Sequence, residues 1–349
     1  MRDITIANSC KNKSHGRFLT ALVLFILAST LHPSKLFAQA GSAPAISYQY
    51  STLASITGYS ESGPGLLVNQ PQRPAGVLKL AEDQRYLIWV ELSRGRLNLL
   101  ELQEDGGLLT RKSIPVSIGK NGFGKEQEGD KLTPVGVYRL TSFLADNTLD
   151  DFYGRGAYPL NYPNAQDRLQ NRTGHGIWLH GLPKDTQQRP LLDSDGCVVI
   201  DNNTLLDLAA YIQTGTTYIV LSENDIEWSA MESLQPREAA LSDAFEDWRR
   251  SWEAIDNAAY LSHYADDFSD LSRDKAEWSR YKSGVNNAKS FINVATSKTS
   301  FIADPRDPNA VTVRFYQQYR SSNYNWDGWK EQLWQETEQG WKIVYEGNG

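Results

Sequence analysis

The residues best suited to chemistry are Cys197, in the run SDGCVVI, and His180, seventeen positions upstream in GHGIWLHG. A thiol attacks as its thiolate, and near neutral pH a neighbouring base must draw off the proton. Histidine is the usual base for that task. The chain has two cysteines, and the other, Cys10, lies in a segment with the features of a removable export signal. A secreted protein with one remaining thiol cannot use it for an internal disulfide. Cys197 is therefore read as a nucleophile in preference to a buried structural thiol. Backbone N–H groups around Gly196 and Cys197 are suited to hold an oxyanion, because glycine allows that close approach.

The elements that must position these residues start after an export segment. Arg2, Lys11, Lys13 and Arg17 precede an apolar run, Phe18 to Leu31, too short to span a bilayer comfortably, and Ala38-Gln39-Ala40 offers a small-x-small cleavage site. Residues 1–40 are expected to be a cleaved signal, or alternatively a retained anchor. Either way the working part faces the periplasm or cell envelope. No other stretch of the sequence is apolar enough to span. The signal holds five of the 35 Lys and Arg and one of the 42 Asp and Glu, so the mature chain carries a net charge of −11. That surface argues against a nucleic-acid partner.

Residues 41–75, rich in Ser, Gly, Pro and Ala, read as a linker or extended arm. Residues 76–225 carry short strands at Arg85–Leu92, Arg96–Leu102 and Arg111–Gly119, with glycine-bearing turns between them. This predicts a mostly antiparallel β domain. Apolar spacing predicts one helix over 203–213, with Asn202 or Asn203 as its cap. Residues 226–236 read as a second linker. The composition then shifts, for eight of the ten tryptophans lie at or after Trp228. Phe245, Trp248, Trp252 and Ile255 mark one face of a helix within 241–264, and alternating strands follow. Residues 237–349 are thus expected to form a small α+β cone.

Two blocks carry a family resemblance. His180-Gly181 followed by Ser194-Asp195-Gly196-Cys197 resembles the signature of the L,D-transpeptidase (YkuD-like) family of peptidoglycan enzymes. GDKLTPVGVY, Gly129 to Tyr138, resembles the G-D-x-x-T-P-x-G-x-Y segment upstream of it. The resemblance implies a β-sandwich-like catalytic domain. It also implies a Gly181 carbonyl orienting His180, a site-shaping role for Ser194, and a peptidoglycan tetrapeptide stem as substrate. The stem is cut between an L-centre and the terminal D-alanine. Asp195 and Val199 depart from the commoner S-H-G-C-x-R pattern. That departure leans toward a subgroup containing L,D-carboxypeptidases, some of which bear a C-terminal nuclear-transport-factor-2-like (NTF2-like) domain. The pattern from Trp248 through Phe268 resembles the opening of such a domain, a class that includes pocketed binders and homodimer modules. The substrate bears carboxylates, so cations are expected near the thiol; Arg172, Lys184 and Arg189 are the nearest in sequence, with His175 as a further contact.

Two other signals are set aside. Gly119 to Lys125 has P-loop spacing, but Glu126 stands where Ser or Thr belongs and no helix follows. It is read as a glycine loop near the active-site wall. His175 and His180 fall five apart on an apparent strand and point to opposite faces, so with Cys197 and His263 they make no convincing zinc set. No metal or cofactor is expected. Hydrolysis and transfer to an amine both remain open, with a lean to hydrolysis. The competing classes are a non-catalytic cell-wall binding protein and a chain dominated by a partner-binding C-terminal domain.

Overall fold

A computed structural model of the chain describes residues 70–349. The expected signal and residues 41–69 of the expected arm lie outside the described residues. Strands β1 (Gln72–Pro74), β2 (Val77–Lys79), β3 (Tyr86–Glu91), β4 (Arg96–Leu102), β5 (Leu108–Pro115) and β6 (Ile118–Gly119) come first. They are followed by β7 (Gly136–Arg139), β8 (Leu144–Ala145), β9 (Gly156–Pro159), helix α1 (Ala165–Leu169) and β10 (Trp178–Gly181). The first domain closes with β11 (Leu192–Ser194), β12 (Val198–Ile200), α2 (Asn202–Leu208) and β13 (Tyr218–Ser222). One sheet has the order β5-β4-β3-β13-β7 and another β12-β10-β9-β8.

Alternation of side chains along each strand separates three apolar layers. Val90, Leu99, Ile219 and Leu221 of the first sheet meet Tyr158, Leu179 and Val198 of the second in a shared core, which makes the domain a sandwich. The outer face of the second sheet carries Ala157, Trp178, Cys197 and Val199 under Tyr153 and Leu182. The expected mostly antiparallel pairing holds for β3–β4, β4–β5, β7–β13, β9–β10 and β8–β9, with three exceptions. The pairs β3–β13, β10–β12 and β6–β11 are parallel. Parallel neighbours need a crossover of about a dozen residues or more, and segment 182–197 supplies one between β10 and β12.

Beyond β14 (Trp228–Ala230) the chain forms α3 (Met231–Glu253), α4 (Asn257–Ser262) and α5 (Lys275–Asn287). Strands β15 (Ile292–Asp304), β16 (Asp307–Ser321), β17 (Asn325–Thr337) and β18 (Gly340–Asn348) complete the chain. Phe245, Trp248 and Trp252 of α3 are buried against Val313, Phe315 and Trp334 of the sheet, as the periodicity predicts. Ile255, expected on the same helix face, falls beyond the end of α3 at Glu253. Ile255 takes a positive φ of 56° after α3, and Asp256 caps α4 by accepting from the Ala259 N–H. The helix after Cys197 also starts one residue early and is capped by Asp201, which accepts from the Asn203 and Thr204 N–H groups. Neither Asn202 nor Asn203 caps it.

The two expected linkers have ordered inner ends. Strand β1 pairs with β14, and residues 231–236 already belong to α3. Strand β2 crosses over to pair with β15, so the sheet of the C-terminal domain has the order β18-β17-β16-β15-β2. In the second domain a cavity of about 810 Å³ is lined by Trp252, Trp278, Tyr319, Lys330 and Glu346, with the Lys282 ammonium 4.2 Å over the Trp252 ring. Burial pushes Lys282 down to about 8, opposed by nearby Glu346.

Candidate active site

His180 lies opposite Val199 across the parallel β10–β12 pair. Cys197 stands two residues before Val199, so it is the diagonal neighbour of His180 on the same outer face. Both residues are fully buried. The Cys197 thiol donates to the Gly176 carbonyl at 3.4 Å. His180 Nδ1 sits 2.7 Å from the Gly181 carbonyl oxygen. A carbonyl can only accept, so Nδ1 carries the proton and Nε2 keeps its lone pair. Nε2 is itself buried and bonds to no protein group. The imidazole is thus held in the tautomer that can take a proton.

Packing fixes the ring. Tyr153 meets it edge-on at 5.2 Å between centroids, Phe152 lies at 6.0 Å, and Trp178 supports Tyr153 at 4.7 Å. Burial pushes His180 down to about 4, against the Gly181 bond that favours the charged ring, while nearby Arg189 adds to the lowering. Unfolded histidine titrates near 6.5, so the unfolded chain binds the extra proton between about pH 6.5 and 4. Stability is therefore full above that window and lost as pH falls through it. Between pH 7.5 and 4 the wild-type protein is expected to lose about 3 kcal/mol more unfolding free energy than His180→Gln, measured by urea titration.

The loop before Cys197 is shaped by Ser194 and Gly196. Ser194 Oγ donates to the Cys197 carbonyl at 2.6 Å and accepts from the Gly196 N–H at 3.1 Å. Oxyanion donors are expected among the N–H groups around Gly196 and Cys197, and of these the Gly196 N–H is engaged by Ser194. Gly196 is needed for another reason. Its φ is +124°, and a Cβ would lie 2.8 Å from the Leu132 carbonyl oxygen. A side chain there would be both strained and blocked. The glycine loop does stand against this wall, for the Lys120 N–H donates to the Ser194 carbonyl and Lys120 Nζ pairs with Asp195 at 3.2 Å.

The upstream block supports the site without entering it. The Asp130 carboxylate accepts from the Glu126, Gln127 and Leu132 N–H groups and pairs with buried Lys125 at 2.6 Å. Thr133 Oγ1 accepts from the Gly119 N–H. The Tyr138 hydroxyl donates to Asp167 at 3.0 Å.

Of the four polar residues expected near the substrate, Arg189 is the one whose charge bears on His180, and its guanidinium carbon lies 5.6 Å from the centroid of the Phe152 ring. Arg172 is drawn toward Asp167 at 3.5 Å, because that buried carboxylate competes for it. Exposed His175 lies 3.4 Å from Glu128 on irregular chain before β10, so the expected strand placement is also corrected. Lys184 pairs with Asp151 at 2.8 Å on the surface. His263 belongs to the second domain, at the end of α4. Sequence reasoning missed Asn202, whose Oδ1 accepts from the Arg155 N–H and whose Nδ2 donates to the Leu182 carbonyl. This side chain passes so close to Gly181 that a Cβ there would meet Oδ1 at 2.1 Å. It also missed Phe152-Tyr153, an aromatic pair whose adjacency was the available signal.

Residues 85–220 match the YkuD family, the L,D-transpeptidase catalytic domain, and residues 240–347 match the Cds6 C-terminal NTF2-like domain. The chain carries an L,D-transpeptidase catalytic domain followed by an NTF2-like domain. Solved structures share this two-domain arrangement. Bdellovibrio bacteriovorus Bd1075 is 28% identical with a TM-score of 0.66, over 79% of this chain and 97% of its own. The helical cell shape determining protein Pgp2 from Campylobacter jejuni is 25% identical with a TM-score of 0.65, over 77% and 94%. A point mutant of Pgp2 is equally similar. No curated protein matches the chain. Among the described residues, no helix is long and apolar enough to cross a membrane.

Proposed function

We propose that this protein is an exported peptidoglycan L,D-carboxypeptidase that trims tetrapeptide stems to tripeptides through Cys197. The observation that carries the reading is the His180 imidazole, held by Gly181 with Nε2 unpartnered on the face that also bears Cys197. In the first step the Cys197 proton passes to His180 Nε2 and the thiolate attacks the amide carbonyl. The tetrahedral intermediate then expels the D-alanine nitrogen, which takes the proton from His180. A thioester to the tripeptide remains. Water gives one proton to His180 and attacks that carbonyl, and the thiolate leaves and regains the proton.

Two features support water as the acceptor. Val199 stands where the commoner family pattern has an arginine, which argues against the standard transfer mode. Cys197 and His180 are enclosed by Tyr153 and Trp178, and water reaches an enclosed thioester more easily than a second peptide chain does. The likeness to Pgp2 supports a role of this trimming in cell shape. The test is incubation of the mature protein and a Cys197→Ala control with disaccharide-tetrapeptide, read by mass. Thiol-dependent tripeptide is expected. Crosslinked dimers would replace the reading with a transpeptidase, and no product from either sample would favour a cell-wall binding protein.

A further inference from the structure

Arg189 lies in the crossover between β10 and β11, and its side chain is only 9% exposed. One edge of the guanidinium is satisfied, since Nε donates to Asp193 Oδ2 at 2.7 Å and Nη2 donates to the Asp193 carbonyl. The other edge is not. Nη1 is buried and bonds to no protein group. The cation lies over Phe152, 5.6 Å from the ring centroid, and that ring lies 6.0 Å from the His180 ring. The two groups are close enough for the guanidinium charge to bear on the imidazole.

The site therefore holds two buried and unpartnered nitrogens of different kinds, a base at His180 Nε2 and a cation edge at Arg189 Nη1. A buried charged donor without a partner is costly, so a built site that retains one is suited to an anionic ligand. In a C-terminal amino acid the amide nitrogen and the carboxylate are separated by one carbon. Such a residue carries both kinds of group that the two nitrogens are suited to meet, a nitrogen for the base and a carboxylate for the cation.

We propose that Arg189 is the receptor for the α-carboxylate of the leaving residue, and so confines cleavage to the free C-terminal end of a stem. This rests on the carboxypeptidase reading above. Arg189 takes up, from a different segment, the substrate-positioning task that Val199 cannot perform. Asp193 holds the guanidinium in place, and the Phe152 ring supports its face.

The test compares disaccharide-tetrapeptide with its C-terminal carboxamide as substrates for the wild-type protein, Arg189→Gln and Arg189→Lys. The wild type is expected to favour the free acid by about 100-fold in kcat/KM, mostly through KM. Arg189→Gln should lose about that factor on the acid and change less than twofold on the carboxamide, with Arg189→Lys recovering part of the loss. Equal losses on both substrates would make Arg189 a loop pin and overturn the proposal. A second measurement does not depend on turnover. It is the ratio of Cys197 alkylation rates with iodoacetate and iodoacetamide, with the iodoacetamide rate reporting an intact site. The ratio is expected to fall about tenfold in Arg189→Gln, because only iodoacetate carries a carboxylate for the cation. An unchanged ratio would also overturn the proposal. If the wild type cleaves neither substrate while the ratio falls, the carboxypeptidase reading fails and the anion receptor beside the thiol stands.

Discussion

Cys197→Ala is expected to abolish D-alanine release, and His180→Gln to lower kcat/KM by about 10²–10⁴-fold. The two losses should not add. Thiol and base act as one unit, so a variant lacking both is expected to be no slower than Cys197→Ala alone. The structure gives the reason for so large an effect from His180. Its Nδ1 is committed to the Gly181 carbonyl, which leaves Nε2 as the lone pair able to receive the thiol proton. Glutamine keeps a polar side chain of similar reach but cannot serve as that base. Steady-state kinetics with disaccharide-tetrapeptide, together with the iodoacetamide rate at pH 7, measure both halves of the claim. A His180→Gln protein within threefold of wild type would remove the histidine from the mechanism.

The second large effect is expected far from the thiol. Arg306, on the turn between β15 and β16, reaches across to Asp167 on α1 at 3.1 Å and to Asp304 at 2.6 Å. Asp167 is fully buried, accepts from the Tyr138 hydroxyl and the Asn164 N–H, and completes the capping box of α1. Burial works against the Arg306 charge, but its bond to Asp304 and the surrounding acids push its pKa up, so the guanidinium stays charged. Removing it with Arg306→Met leaves buried Asp304 without its cation and buried Asp167 with only Arg172, at 3.5 Å. The expected cost is about 3 kcal/mol in urea unfolding, in line with breaking one partner of a buried pair. Adding Asp167→Asn should return part of that loss, because one of the two carboxylates that Arg306 served is then neutral. An additive double variant would show that Arg306 and Asp167 are not energetically coupled.

These two predictions draw on different kinds of information. Cys197, His180, Gly181, Ser194 and Gly196 lie within one short stretch whose residue types announce their chemistry, so the sequence itself points to them. The tryptophan stripe of α3 was legible for a similar reason, since helical periodicity is local and only an apolar core accommodates Phe245, Trp248 and Trp252 on one face. Strand positions followed from runs of apolar residues broken by turn glycines such as Gly95 and Gly106, both at positive φ.

Pairing partners did not follow, because a strand's own pattern does not say which neighbour it meets or in which direction. The parallel β10–β12 pair, which places Cys197 beside His180, depends on how segment 182–197 crosses over. The loan of β2 to the sheet of the C-terminal domain depends on contacts such as the Ala81 N–H bonded to Ser300, 219 residues away. The fate of the cations was decided the same way. Arg172, Lys184 and Arg189 look alike in the sequence. Buried Asp167 claims the first and surface Asp151 the second, while Asp193 satisfies only one edge of the third. Local chemistry is written in local residue types, whereas the charges that share a site are chosen by long-range packing, where burial decides which carboxylate each cation meets.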